Sequence, residues 1–257
     1  NMAAAAASKA RHGMNESIAR LSTGIRAMYG GDAAGHSVGT VHNAESRSYA
    51  ASTRNIEDAI SYAQTGESVL LEVANLAQRI RELGIADSGN ELLDGNQTAA
   101  LDDEAAVLGN TIDDILDNTK FNGVEVIDSA AAKSVSINYT GDTSASAKRH
   151  TVGAEQAITA MNGLGDAGNA RALADTFLGT VALALGNIAA DLTALKAFQG
   201  AASSTSANLA AASARILDTD YATETASLTK NSILNQAALS MAAQANNAQS
   251  AILSVLQ

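Results

Sequence analysis

No proline occurs anywhere in the 257 residues of this chain. Proline is the strongest helix breaker, costing ~3 kcal/mol at an interior position, and an average chain carries it at about 5%. Without it, helices can run until glycine or a polar cluster stops them. The chain is also rich in alanine, the best helix former. It lacks tryptophan and cysteine, and only 3% of it is aromatic. Long helices with slim faces are therefore expected, rather than a core filled by large rings.

The apolar spacing agrees. In the first segment Ala7, Ala10, Met14, Ile18, Leu21, Ile25 and Met28 recur at steps of three and four, close to a heptad seam. The run Gly30-Gly31-Asp32-Ala33-Ala34-Gly35 breaks that stripe. A second helix is predicted from about Val38, with its best stretch at Val69, Val73, Leu76, Ile80 and Leu83. It should end at Gly84 and the polar cluster Asp87 to Asn90. A third stripe is Leu101, Ala105, Leu108, Ile112 and Ile115, closed by the turn dipeptide Asn122-Gly123. The texture then changes between about 124 and 170. Val135, Ile137 and Tyr139 alternate with polar residues, the period of a small β-hairpin, and Gly163 to Gly168 reads as a loop. Helix resumes at about Ala172 with Val181, Leu185, Ile188, Leu192 and Leu195. A smaller, partly polar seam continues it: Gln199, Ala202, Ser206, Leu209, Ser213 and Ile216. The last helix carries Ile233, Ala237, Met241, Ala245, Ala248, Ile252 and Val255.

The seams at the two ends look too weak to fold alone. A buried leucine contributes about 1.5–3 kcal/mol, whereas ordering the backbone costs about 1–2 kcal/mol per residue. The first 25 residues and the last 40 offer mostly Ala, Ser and Asn. Such ends are expected to order when packed against each other and against neighbouring copies. The residues thus point to an assembly protein whose termini hold it together.

Several functions are disfavoured. A formal net charge of −11 repels phosphate backbones, so no nucleic-acid partner is expected. Without cysteine there is no disulfide, thiolate metal site or cysteine nucleophile. No uninterrupted apolar run approaches membrane-spanning length, so no membrane partner is expected. The apolar run Met2 to Ala7 precedes its charges, the wrong order for a secretory signal. The chain starts at Asn1 rather than Met, and further residues are expected to precede it. Gly163-Leu164-Gly165-Asp166-Ala167-Gly168 satisfies a dinucleotide-loop spacing, but no buried strand leads into it, and Asp191 near the required offset falls in a helix. His12, His36, His42 and His150 form no zinc-hydrolase pattern, and Asp113, Asp114 and Asp117 mark a polar helix face. No catalytic, cofactor-binding or metal-binding set can be assembled, so no enzyme is expected.

The residues resemble bacterial flagellin at both ends. Arg20-Leu21-Ser22-Thr23-Gly24-Ile25-Arg26 and Gly31-Asp32-Ala33-Ala34-Gly35 look like the family's R-L-S-[ST]-G-x-R and D-[DG]-A-A-G segments. Arg54-Asn55 with Ile60 to Thr65, Leu76 to Leu83, and Thr119-Lys120-Phe121-Asn122-Gly123 look like its R-N-x-x-D-x-I-S-x-A-Q-T, L-Q-R-[VIM]-R-E-L and T-x-F-N-G runs. Toward the far end, Asp218 to Glu224 is similar to D-x-D-Y-A-x-E, Ala243 to Asn246 to A-Q-A-N, and Leu253 to Gln257 to L-S-L-L-[QR]. Two departures stand out. Gly31 replaces the usual first Asp, and the usual L-G-A-x-Q-N-R stretch is reduced to Leu195-Lys196-Ala197-Phe198-Gln199.

The resemblance implies a mainly α fold. A long antiparallel helical bundle and coiled coil, formed by the N- and C-terminal regions, would carry a small β-hairpin region in the middle. It divides the chain into an inner-tube helix and turn (1–36), part of an outer-tube bundle (37–128), a short hairpin region (129–170), an outer-tube helix (171–217) and an inner-tube helix (218–257). The implied function is the structural subunit of the flagellar filament for swimming motility, exported unfolded, secreted and polymerised outside the cell. A flagellin-like hook–filament junction protein is the alternative. Implied partners are further copies of the chain, an export chaperone, and hook-junction and cap proteins. Met14, Ile18, Leu21, Ile25, Ile233, Met241, Ile252 and Leu256 are the expected self-assembly residues. A Toll-like receptor recognises many flagellins, and the matching positions here are Arg79, Leu83 and Glu104, although Leu83 also belongs to the seam. Some flagellins are O-glycosylated, and Ser134, Ser136, Thr143, Ser144 and Ser146 offer hydroxyls in the central region.

Overall fold

The computed structural model describes residues 2–26, 32–88, 90–127, 133–138, 149–152 and 167–255. Five helices dominate: α1 (Met2–Thr23), α2 (Ala33–Asp87), α3 (Gly95–Asn118), α4 (Ala167–Leu217) and α5 (Tyr221–Val255). Four short strands lie between α3 and α4: β1 (Lys120–Phe121), β2 (Val124–Glu125), β3 (Lys133–Ser136) and β4 (Arg149–Val152). The chain forms two compact units. One is Asn1–Ser46 with Ala207–Gln257, and the other is Arg47–Ser206.

The Arg47–Ser206 unit has the larger core. From α2 it buries Ile56, Ala59, Ala63, Leu70, Val73, Ala77 and Ile80. Ile112 and Leu116 come from α3, and Phe177, Val181, Ile188, Leu192 and Leu195 from α4. Steps of three and four place each set on one stripe. Arg81 pairs with Asp175 and Gln199 with Glu57, so α2 and α4 run antiparallel. The α2 stripe is centred on Leu70, Val73, Ala77 and Ile80. Val69 and Leu76, expected on it, pack half-buried at its edge.

Helix starts are explained by local bonds. At α3 the Asp94 carboxylate accepts the N–H groups of Asn96 and Gln97 at 2.9 and 2.8 Å. The Gln97 side chain in turn accepts the Asp94 N–H at 3.1 Å. That reciprocal cap starts α3 at Gly95, ahead of the apolar stripe that begins at Leu101. The second helix begins at Ala33 rather than Val38, and the fourth at Ala167 rather than Ala172.

Two antiparallel hairpins follow α3. In the first, Lys120 faces Glu125 and Phe121 faces Val124. Both central residues, Asn122 and Gly123, have positive φ, 51° and 77°, as a tight two-residue connection requires. The expected turn is therefore a hairpin that starts before 124. The second pairs β3 with β4, Val135 facing His150. Ile137 is buried just beyond β3, while Tyr139 lies outside the described residues. Over Asn169–Leu217, α4 is long and apolar enough to cross a bilayer by length and composition, a property hidden from a search for uninterrupted runs. Its stripe from Val181 to Leu195 is engaged in the core.

Candidate self-assembly surface

In the terminal unit the chain meets itself far from home. Helix α1 ends because Gly24 adopts a left-handed conformation, φ 71°, with its N–H donating to Arg20 O at 2.8 Å. The next residues clasp the segment between α4 and α5. Ile25 bridges Asp218, Arg26 N–H donates to Leu217 O at 2.7 Å, and Thr219 N–H donates to Gly24 O at 2.9 Å. The Arg26 guanidinium adds a bond to Ile216 O at 3.0 Å and one to Asp32 at 2.9 Å.

Two aspartates start the helices on either side of this clasp. Asp32 accepts the Gly35 N–H at 2.8 Å. That bond, helped by Arg26, holds its carboxyl below the ordinary value of 3.8. Asp220 accepts the Thr223 hydroxyl at 2.8 Å and the Ala222 N–H at 2.9 Å, and its carboxyl is likewise lowered, first by the Thr223 hydroxyl. The motif segments D-A-A-G and D-Y-A-T-E are thus helix N-caps.

Beyond the clasp α1 and α5 pair with each other. Helix α1 buries Ala7, Ala10 and Ser17. On α5 the most shielded row is Glu224, Ser227, Leu228, Asn231, Asn235, Ala238 and Ala242. This differs from the expected coiled-coil seam. Ile233 and Met241 are 60% and 62% exposed, and Leu234 and Leu239 are also open. On α1, Ile18 is 48% exposed, while Met14, Leu21 and Ile25 are half-buried. The reason is volume. Small side chains let the two helices approach closely: Leu228 apart, the inner row of α5 is small or polar, while Ile233, Leu234, Leu239 and Met241 lie open. Arg20 Nε and Asn235 Oδ1 are shielded and meet no hydrogen-bond partner among the described residues. Each such orphan costs about 1–3 kcal/mol, and the pair is correspondingly weak by itself. Ile252 lies within α5, but its side chain, like Leu256 as a whole, falls outside the described residues.

The middle unit carries a charged ridge. The Arg79 guanidinium donates to Glu104 at 2.8 Å and to Glu82 at 3.3 Å. Those two carboxylates, Glu104 foremost, raise its pKa further. Arg79 and Glu104 are both open to solvent, but Leu83 is only 3% exposed and sits in the interior beside them. Sequence reasoning grouped the three; the structure brings two together at the surface and turns the third inward. Of the hydroxyls in the central region, Ser134 is exposed on β3 and Ser136 is half-buried beside Ser52, whose hydroxyl donates to Ser136 O at 3.0 Å. Thr143, Ser144 and Ser146 lie outside the described residues, as does the loop Gly163 to Asp166. Among the described residues, no three His, Cys, Asp or Glu side chains gather as a metal would need.

These features define a class of protein: a helical subunit whose two termini fold together and leave large apolar residues, Ile233 and Met241 foremost, uncovered. Comparisons with known proteins give the family. Residues 1–132 match the bacterial flagellin N-terminal helical region, and residues 188–256 match the bacterial flagellin C-terminal helical region. A flagellin of Halalkalibacterium halodurans is 32% identical, aligned over 94% of this chain and 91% of its own length. A flagellin of Bacillus subtilis is 30% identical over 94% and 92%. The flagellar filament 33 kDa core protein of Treponema phagedenis is 30% identical over 95% and 92%. The crystal structure of Bacillus cereus flagellin superposes with a TM-score of 0.40 at 23% identity, over 61% of this chain and 88% of that one, too loosely to add to the sequence relationship. The chain belongs to the bacterial flagellin family. It is a structural subunit that assembles with itself into the flagellar filament, and not an enzyme.

Proposed function

We propose that polymerisation is driven by the outward row of the terminal helices. The proposed contact residues are Met14, Ile18, Leu21 and Ile25 on one side and Ile233, Met241, Ile252 and Leu256 on the other, of which Ile18, Ile233 and Met241 are open among the described residues. The observation that carries this reading is the exposure of Ile233, Leu234 and Met241 on a helix whose inward face is small and polar. Exposed large residues in such a row mark a surface that another chain covers. In this reading 1–36 and 218–257 line the inner tube, 37–128 and 171–217 form the outer-tube bundle, and 129–170 is a small hairpin region outside it. The chain travels unfolded to the cell exterior, delivered by an export chaperone and placed between hook-junction and cap proteins. An alanine-lined, proline-free chain suits that route, because it contains no slow X-Pro isomerisation.

Two subsidiary roles belong to the same proposal. Arg79 and Glu104 offer a paired charge to a Toll-like receptor, with Leu83 supporting the ridge from within. The proposed glycan acceptors are Ser134, which is exposed, and Ser136, Thr143, Ser144 and Ser146.

Electron microscopy of Ile233→Asp and Met241→Asp tests the main claim. An unpaired charge carried into a buried contact is costly, so neither variant should form filaments, while circular dichroism shows the same thermal transition as the parent. Normal filaments from both would remove the outward row from assembly.

A further inference from the structure

We infer that two residue pairs, Gly13 with Asn231 and Arg20 with Glu224, set the register of the α1–α5 pair. The inference rests on the filament reading only for its consequence, the alignment of the outward apolar row.

The two pairs belong to one alignment. Gly13 and Arg20 are a heptad apart on α1, and Asn231 and Glu224 are a heptad apart on α5 in the opposite sense. Ala6 and Ala238 line the same groove one heptad further along. Elsewhere in the pair little resists sliding, because the buried residues of α1 are Ala7, Ala10 and Ser17. An alanine meeting alanine one turn away is the same contact. Large interlocking side chains or a buried polar residue normally fix such a register; here no large side chain of α1 is fully buried, and the polar device carries most of it.

Each pair works in this alignment and fails in a shifted one. A Cβ on Gly13 would stand 2.6 Å from Asn231 Nδ2 and 3.1 Å from its Cγ. Asn231 therefore occupies the space that the glycine leaves, at a mid-helix position where alanine would otherwise be the better helix former. Moved by one turn or one heptad, Asn231 would face Ala10, Ser17, Ala6 or Arg20, all of which carry a Cβ. The Arg20 guanidinium lies 3.6 Å from Glu224, whose side chain is only 12% exposed, and also pairs with Glu16 on its own helix. A one-heptad slip would set Arg20 against Asn231, or carry it past the start of α5, and leave the shielded Glu224 without its cation. That slip would also carry Ile233 and Met241 about 10 Å along Ile18, at 1.5 Å per residue. Neighbouring copies would then meet a different surface.

The absence of cysteine makes a clean test possible. Ala6→Cys is combined with Ala238→Cys, in register, or with Ala245→Cys, one heptad out. Each full-length double variant is oxidised under polymerising conditions, and intrachain crosslinks are separated from dimers on denaturing gels. The in-register pair should crosslink on the order of tenfold faster than the slipped pair, as a polar register device implies. Adding Arg20→Ala and Asn231→Ala should bring the two rates to within about threefold, whereas Arg20→Lys should keep the preference. The melting transition of the middle unit controls for folding. Unchanged selectivity in the alanine variant overturns the inference, and so does no selectivity in the parent. Selective crosslinking in a chain that never polymerises would support the register and overturn the filament role instead.

Discussion

Helices α2 and α4 run through both compact units, and the kind of side chain they bury changes between them. Within Arg47–Ser206 they contribute Ile56, Leu70, Ile80, Val181, Ile188 and Leu195. In the terminal unit their buried residues are Gly39, Ser46 and Ser213, and the Ser213 hydroxyl donates to Gly39 O at 2.9 Å. There a Cβ on Gly39 would fall 2.5 Å from Leu217 Cγ, so the helices meet through glycine rather than through interlocking branches. The middle unit is held by apolar area. The terminal unit is held by close approach, caps and a clasp, all worth less per residue. A subunit that must remain a monomer until it reaches its neighbours gains from that division.

The comparison breaks most readily in the middle. Leu70→Ala, Ile80→Ala or Leu195→Ala should each cost about 2–5 kcal/mol, seen as a lower melting midpoint. Ser17→Ala in the terminal unit should leave that midpoint in place. If Ser17→Ala were as damaging as Leu70→Ala, the division would be wrong. Limited proteolysis of the monomer gives the next largest effect. The residues before about 40 and after about 210 should be lost first, because weakly held ends open most often. Equal resistance of ends and middle would contradict the weak seam, and protection of the ends only in filaments would strengthen it.

Acid sharpens the same contrast. Asp32 and Asp220 titrate below their ordinary value in the folded chain. Their contribution is therefore complete above about 3.8 and is lost as pH falls through the lowered folded values. Filament length followed through this range should fall before the helicity of the middle unit does. The opposite order would place the acid-sensitive groups elsewhere. Arg79→Ala should do least. The exposed Arg79–Glu104 pair adds little to stability, so melting and polymerisation should both match the parent, while receptor activation, if Arg79 serves it, drops.

Legibility in the sequence followed side-chain size. Val73, Ile80, Leu83, Ile112, Val181, Ile188, Leu192 and Leu195 were all expected on inner stripes and all are buried. A leucine signals its face strongly, so the middle unit could be read. On α5 the same rule pointed the wrong way within the chain. Ile233 and Met241 are the large residues there, and they face out, while Asn231, Asn235 and Ala238 face α1. A periodicity count finds the stickiest face, and for a subunit that face is the one left uncovered. The hairpin at Lys120–Glu125 stayed hidden because strands of two residues have no period to count. Register, which rests on Gly13 and on one partly buried ion pair, was equally invisible. Leu83 was marked both as seam and as contact, and only its burial separates the two.

The clasp between Gly24–Arg26 and Leu217–Thr219 carries a kinetic consequence. Its Arg26 to Ile216 bond joins residues 190 apart in sequence, and closing so long a loop from a random coil is entropically expensive. Once Ile56 and Leu195 share a core, most of that loop is already folded away. Maturation therefore has a built-in sequence of events: the centre condenses first, and the two extremities zip together last, where the next molecule is waiting.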